Sequence, residues 1–264
     1  MWMSLFTKKG EAAVTSATTE GGSVESPIVS FKSGTTYKVR VKAVADLAEY
    51  YGYGIFKKVN TFVPNPPAQR NERGYVVSDA TVWDKASDLL YQDAKKAKES
   101  GAGEEAVKKI EQEAYNLRGK KRYLRAFGCL ETGKDIVIDL SPKQEGVIYA
   151  AIKKYEKKLD KVAFEISKSG SGTNALVTFT PVLDMEEDLT DVERNNFDKV
   201  AEKLFDHELF ETCLFAANSE EQIKNLVISG FDIGRLGLSH GGSVANDNEE
   251  VTPIGDEDDP SKQF

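Results

Sequence analysis

Over residues 37–44 apolar and basic positions alternate: Tyr37, Val39, Val41 and Ala43 fall on one side of an extended chain, Lys38, Arg40 and Lys42 on the other. A period of two predicts a strand with one covered face, here with a cationic outer face. A second apolar, β-branched stretch covers residues 54–63. Pro64, Asn65, Pro66 and Pro67 close it, because proline has no N–H to give to a ladder. Residues 120–130 and 134–140 predict a third and a fourth strand around the turn Glu131, Thr132, Gly133. Residues 161–167 and 175–181 predict a hairpin that turns through Gly170, Ser171 and Gly172.

The period shifts to that of a helix in four places. Residues 80–117 read as two helices broken at Ser100, Gly101, Ala102 and Gly103, an insertion between strands; Val107, Ile110, Ala114 and Leu117 recur at helical spacing in the second. Ser141 predicts an N-cap and Pro142 suits the first helical position. Val147, Ile148, Ala151, Ile152, Tyr155 and Leu159 then form one apolar stripe. Thr190 with Glu193 is a capping box whose helix would use Val192, Val200, Ala201, Leu204 and Phe205 as its apolar face, and residues 219–228 predict a last short helix. Three regions follow: a flexible arm at 1–30, rich in Gly, Ser, Thr and Ala, a folded core at 31–230, and an acidic tail at 231–264 with too little apolar content to offset its ordering entropy.

Charge changes this picture. Residues 31–168 carry 27 Lys and Arg against 19 Asp and Glu, residues 169–264 carry 6 against 21, and the net charge of −8 hides the split. All ten tyrosines lie in the basic block. A basic surface interleaved with rings suits a polyanion with flat bases, and the acidic segment would compete for it.

The candidate binding residues cluster. On a strand, Lys121, Tyr123, Arg125 and Phe127 share one face and Leu124, Ala126 and Leu130 the other, so Arg118, Lys120, Lys121, Arg122, Tyr123, Arg125 and Phe127 alternate cation and ring. Phosphates call for cations at backbone spacing, and unpaired bases call for rings to stack on. Tyr50, Tyr51, Tyr53, Phe56, Lys57 and Lys58 form a second cluster, read as a loop leading into a strand, where Gly52 and Gly54 admit close approach. Arg70, Arg73 and Tyr75 follow the prolines and could close over a strand, and Arg40 and Lys42 add cations from the first strand.

Other chemistries find little support. No apolar run reaches the roughly 18 residues of a membrane span, and charge follows the short apolar start, so the expectation is a soluble, intracellular protein. Cys129, Cys213, His207 and His240 give no zinc spacing, so no metal or other cofactor is expected. His207 and Glu208 lack a second histidine four residues on, no Ser, His, Asp set can be assembled, and no enzyme is expected. Two rivals remain: a protein-interaction scaffold, and a magnesium-dependent nuclease using Asp135 and Asp139.

The order of elements, the long insertion, the segment Lys120, Lys121, Arg122, Tyr123, Leu124, Arg125 and the acidic end resemble the bacteriophage single-stranded-DNA-binding proteins of the T4 helix-destabilising type. The resemblance covers roughly residues 31–215. It implies an α+β protein: a five-stranded OB-fold β-barrel with an inserted helical hairpin, C-terminal helices and a disordered acidic tail. It also implies sequence-independent binding of single-stranded DNA in phage replication, recombination and repair, in the host cytoplasm. Leu5, Phe6, Thr7, Lys8, Lys9 is similar to the short basic segment through which that family binds itself along DNA. Asp256, Glu257, Asp258, Asp259 and Phe264 are similar to the acidic tip of bacterial single-strand-binding proteins, which recruits replication and repair partners, and imply replication or recombination proteins as partners of the tail. One departure stands out: the family's insertion holds a structural zinc, whereas residues 60–118 here contain no Cys or His.

Overall fold

The computed structural model describes residues 26–239, Ser171 excepted. The proposed arm residues before 26 and the tail residues Asp256, Glu257, Asp258, Asp259 and Phe264 lie outside the described residues. In chain order the strands are β1 (Thr36–Arg40), β2 (Leu47–Ile55), β3 (Val59–Pro64), β4 (Gln69–Arg70), β5 (Val76–Ser78), β6 (Lys120–Cys129), β7 (Asp135–Leu140), β8 (Phe164–Ser169), β9 (Leu176–Pro181) and β10 (Ala216–Ala217). The α-helices are α1 (Val82–Glu99), α2 (Glu104–Leu117), α3 (Pro142–Tyr155), α4 (Asp191–Lys199) and α5 (Ser219–Ser229).

Eight strands form one sheet in the order β10, β3, β2, β6, β1, β8, β9, with β7 on the other edge of β6. Strand β6 is the hub. Its first half lies antiparallel to β2, with Arg125 opposite Leu47 and Lys120 opposite Gly52; its end lies opposite β1, with Gly128 facing Arg40. Along the other edge Tyr123 pairs with Leu140 and Gly128 with Asp135 of β7. Strand β1 continues to β8, and β8 to β9. The molecule is therefore mixed α+β around an open eight-stranded sheet, whereas the resemblance implies a five-stranded OB-fold β-barrel.

Local chemistry explains where the helices begin. Thr81 with Asp84, Ser141 with Gln144, Thr190 with Glu193 and Asn218 with Glu221 each close a capping box, in which side chain and backbone satisfy two otherwise orphaned N–H groups. Residues 80–117 fold into two helices as predicted, and they are bound into the body. Trp83 is fully buried against Tyr53 and Phe62, and its indole N–H donates to the Gln222 carbonyl in α5 at 2.9 Å.

Buried clusters cover both faces of the sheet, and a further large one gathers Tyr53, Phe62, Trp83, Leu117 and Leu226 under the inserted helices. On one face of β6, Phe127 packs with Ile138, Leu140, Ile148, Ile152, Phe164 and Ile166, drawing α3 against β7, β8 and β9. On the opposite face, Leu124 and Ala126 pack with Val137, Phe205, Phe210 and Cys213. Burial of such side chains at about 25 cal/mol per Å² supplies the main stabilisation.

Four expectations need correction. Residues 54–63 are not one strand but the turn and return of the β2–β3 hairpin, and Tyr50, Tyr51 and Tyr53 sit within β2 instead of in a loop. Helix α4 stops at Lys199, so Phe205 is buried in a separate segment while Leu204 stays exposed. The fold starts before Phe31, because Ile28 bridges to Val137. It also extends past residue 230: Ile233 is buried in the cluster of Phe62, Trp83 and Leu226, and Arg235 pairs with Asp93. Among the described residues no helix is long and apolar enough to cross a membrane.

One buried ion pair joins α3 to β6. Arg125 has no exposed surface; its Nε lies 2.9 and 3.0 Å from the two carboxylate oxygens of Glu145, and its Nη1 donates to the Val44 carbonyl at 3.3 Å. Removing one partner strands the other charge in the interior. Glu145→Ala should lower unfolding stability by about 3–5 kcal/mol, while the paired replacement Arg125→Met with Glu145→Leu should recover most of it. Urea midpoints of the three proteins check this.

Candidate functional site

Residues directly opposed across an antiparallel ladder project to the same side. Tyr51 faces Lys121 and Glu49 faces Tyr123, so these four share one side of the β2–β6 pair, while Tyr50 and Arg122 share the other. A cleft of about 780 Å³ opens where this side meets the end of α2, the start of α3 and the start of β9. Six cations line it: Arg73, Arg118, Lys120, Lys121, Arg122 and Lys143. Tyr51, Phe56 and Tyr115 supply rings, and Val147, Leu176 and Val177 supply apolar floor. Among the described residues no Asp or Glu lines the cleft.

Tyr51 is held in place from behind. The Arg70 guanidinium lies 4.2 Å from its ring centre and is itself fixed by Asp84 at 3.0 Å and the Gly74 carbonyl at 3.0 Å. Lys121 approaches the same ring at 5.6 Å. Gly74 has φ +81°, and a Cβ there would lie 2.5 Å from the Tyr51 hydroxyl, so both backbone and space call for glycine. At the rim, Glu49 accepts from the Tyr123 hydroxyl and from Lys121, each at 3.0 Å. The hydrogen bond it donates to Glu49 raises the Lys121 ammonium above its ordinary pKa, and burial together with Glu49 raises the Tyr123 phenol.

The β2–β3 turn carries Phe56, Lys57 and Lys58, all exposed, with the Lys57 ammonium 5.3 Å from the Phe56 ring. Lys57 adopts φ +61°, a conformation that most side chains avoid. Tyr75 is 57% exposed and lies under the Arg118 guanidinium at 5.7 Å. Lys120 stands 5.3 Å from the Tyr115 ring.

No family model, curated protein or solved structure matches the chain. The site must therefore be read from its own geometry, and that geometry divides the sequence candidates in two. Tyr51, Phe56, Arg73, Arg118, Lys120, Lys121 and Arg122 reach the cleft, with Tyr75, Tyr123, Lys57 and Lys58 on neighbouring surface and Arg70 as a support.

Six others are taken up by the fold. Phe127 and Arg125 are wholly buried, because the face expected to alternate cation and ring turns inward under α3. Tyr53 is 2% exposed and donates to Asp84 at 2.8 Å; Tyr50 is 8% exposed and donates to Asp139 at 2.9 Å. Burial, reinforced by those carboxylates, pushes both phenols far above the usual range. Arg40 lies 4.0 Å over the Phe197 ring and donates to the Phe197 carbonyl at 2.8 Å, which anchors α4. Lys42 is spent on Asp135, at 2.9 and 3.0 Å.

Sequence reasoning misses Tyr115 and Lys143. Lys143 does leave a readable trace: a lysine in a first helical turn sits at the positive end of the macrodipole, a placement that helix stability does not favour. Tyr115 leaves a weaker one, a ring three residues before Arg118 in the last turn of α2.

The two nuclease candidates are each engaged by cations. Asp139 accepts from Arg122 Nε at 2.9 and 3.0 Å as well as from Tyr50, and Asp135 holds Lys42. Among the described residues no cluster of three metal-ligating side chains occurs. Burial raises the Asp135 carboxyl above its ordinary value, with Lys42 opposing the shift. Because the native state then holds its proton to higher pH than the unfolded chain, this group makes stability fall as pH rises from the ordinary aspartate pKa toward the native one. Carboxyl-carbon NMR should find Asp135 titrating above about 3.9, and Lys42→Met should move it further up.

Proposed function

We propose that this chain is a sequence-independent single-stranded-DNA-binding protein, acting in phage DNA replication, recombination and repair, on an OB-type core. The strand pairings support that core: β1 and β2 together run against β6, β6 pairs with β7, β1 with β8 and β8 with β9, with α3 inserted between β7 and β8. An OB-fold is a five-stranded, partly open barrel, and here α3 occupies the side where β7 and β9 would meet.

The observation that carries the function is the cleft itself, in which six cations and three rings converge without a lining carboxylate. Phosphates of a flexible strand are neutralised by Arg73, Arg118, Lys120, Lys121 and Lys143, with Arg122 held on Asp139 at the cleft edge, while bases stack on Tyr51, Phe56 and Tyr115. A duplex hides its base faces, so such a surface shifts melting toward single strands. Basic residues Lys8 and Lys9 are then a contact between neighbouring copies along DNA, and the acidic run at Asp256–Asp259 a tail that covers the cleft without DNA and meets partner proteins with it.

Titration of fluorescent oligo(dT) and an equal-length duplex at two salt concentrations tests the reading; tight, salt-weakened binding to the single strand alone is expected, and its absence at low salt would overturn it. Neighbouring tyrosines sharpen the test. Tyr51→Ala should weaken oligo(dT) binding about 5- to 150-fold in a protein that still folds, whereas Tyr50→Ala should lower the unfolding midpoint through its lost Asp139 contact. Deleting residues 243–264 should tighten binding most at low salt.

A further inference from the structure

One face of α3 continues the cleft wall beyond the cleft. Lys143 and Val147 line the cavity, and the same row, at steps of four, four and three residues, passes through Ala151 and Lys154, with Lys158 following in the single 3-10 turn Glu156–Lys158. At 3.6 residues per turn the four helical positions fall within a sector of about 80°. Lys143, Lys154 and Lys158 are exposed, and Ala151 between them is half-buried and keeps the helix surface low. The helix's own Glu145 and the following Glu156 lie on the far side: Glu145 is buried on Arg125, and Glu156 accepts from Lys153 at 2.7 Å. Lysines in a last turn also complement the helix macrodipole, and Lys153 and Lys157 stand beside the row at that end. What the row adds is its continuity with the cleft wall at Lys143 and Val147.

We propose that this row is a second phosphate-binding track, over which a single strand leaving the cleft runs along α3. The inference rests on the DNA-binding reading of the cleft and adds the direction in which the strand exits. Helical rise places Lys154 about 16 Å beyond Lys143, so the track serves only a strand longer than the cleft holds. Two cations spaced along a shallow, carboxylate-free row touch the backbone and leave the bases unread, in keeping with sequence-independent binding.

The test compares oligo(dT) of about 5 and about 15 nucleotides on the full chain, on Lys154→Gln with Lys158→Gln, and on Lys108→Gln with Lys153→Gln. The last pair removes the same charge from exposed lysines already engaged by Glu104 and Glu156, at 2.8 and 2.7 Å. Thermal midpoints confirm that each variant folds. The wild-type protein should bind the long oligomer with the steeper salt dependence. The Lys154 and Lys158 variant should lose about 0.7 in that slope for each phosphate contact removed while binding the short oligomer as before, and the control should change neither. Long-oligomer binding that is equal in wild type and variant, or equally weakened in variant and control, would overturn the track while leaving the cleft reading intact. A wild-type protein that binds neither oligomer would overturn the cleft reading and the track with it.

Discussion

Strand β6 is hydrogen-bonded along both edges and covered on both faces over its second half, and the rest of the molecule is arranged around that constraint. From Leu124 onward every residue of the strand is buried, so its only accessible side chains are those of its first four residues. The cleft lies where the strand emerges. Arg125, the first buried residue on the face toward α3, fixes Glu145 and with it the first turns of α3, which stand as the opposite wall. A change at this ion pair would therefore move a wall of the cleft as well as loosen the core.

The helices were legible because their signals are local. The N-cap at Ser141, the capping box at Thr190, the break at residues 100–103 and the apolar spacing of α2 lie within a few residues of what they specify. The site was legible only in part, because a period of two says which residues share a face and not which face meets water. Lys121 and Phe127 belong to one face of β6, yet one reaches the cleft and the other has no exposed surface. Arg40 and Lys42 read as free cations until Phe197 and Asp135, distant in sequence, occupy them. The β2–β3 turn escaped notice because Lys57 takes the left-handed conformation that a glycine would ordinarily announce.

Rings and cations serve two purposes here with the same residue types. Tyr50 and Arg122 converge on Asp139, and Tyr53 and Arg70 converge on Asp84: two phenol, guanidinium and carboxylate triads that tie strands and helix together. Tyr51 with Lys121, and Tyr115 with Lys120, bring the same residue types to the cleft, whose lining holds no Asp or Glu among the described residues, Glu49 standing at the rim on Lys121. Composition cannot separate the two uses. The position of the acids does, and it also explains why a net charge of −8 is compatible with a basic cleft.

Lys57 illustrates what such a surface demands of the backbone. A non-glycine residue in the left-handed region carries a conformational penalty of about 1–2 kcal/mol, and here it sits at a hairpin tip beside Phe56, where a glycine would fit without strain. Selection for stability alone would favour the smaller residue. Retaining a lysine makes the tip a place where foldedness and charge are in tension, so efforts to make the protein more heat-resistant would tend to erode its basic edge at this position first.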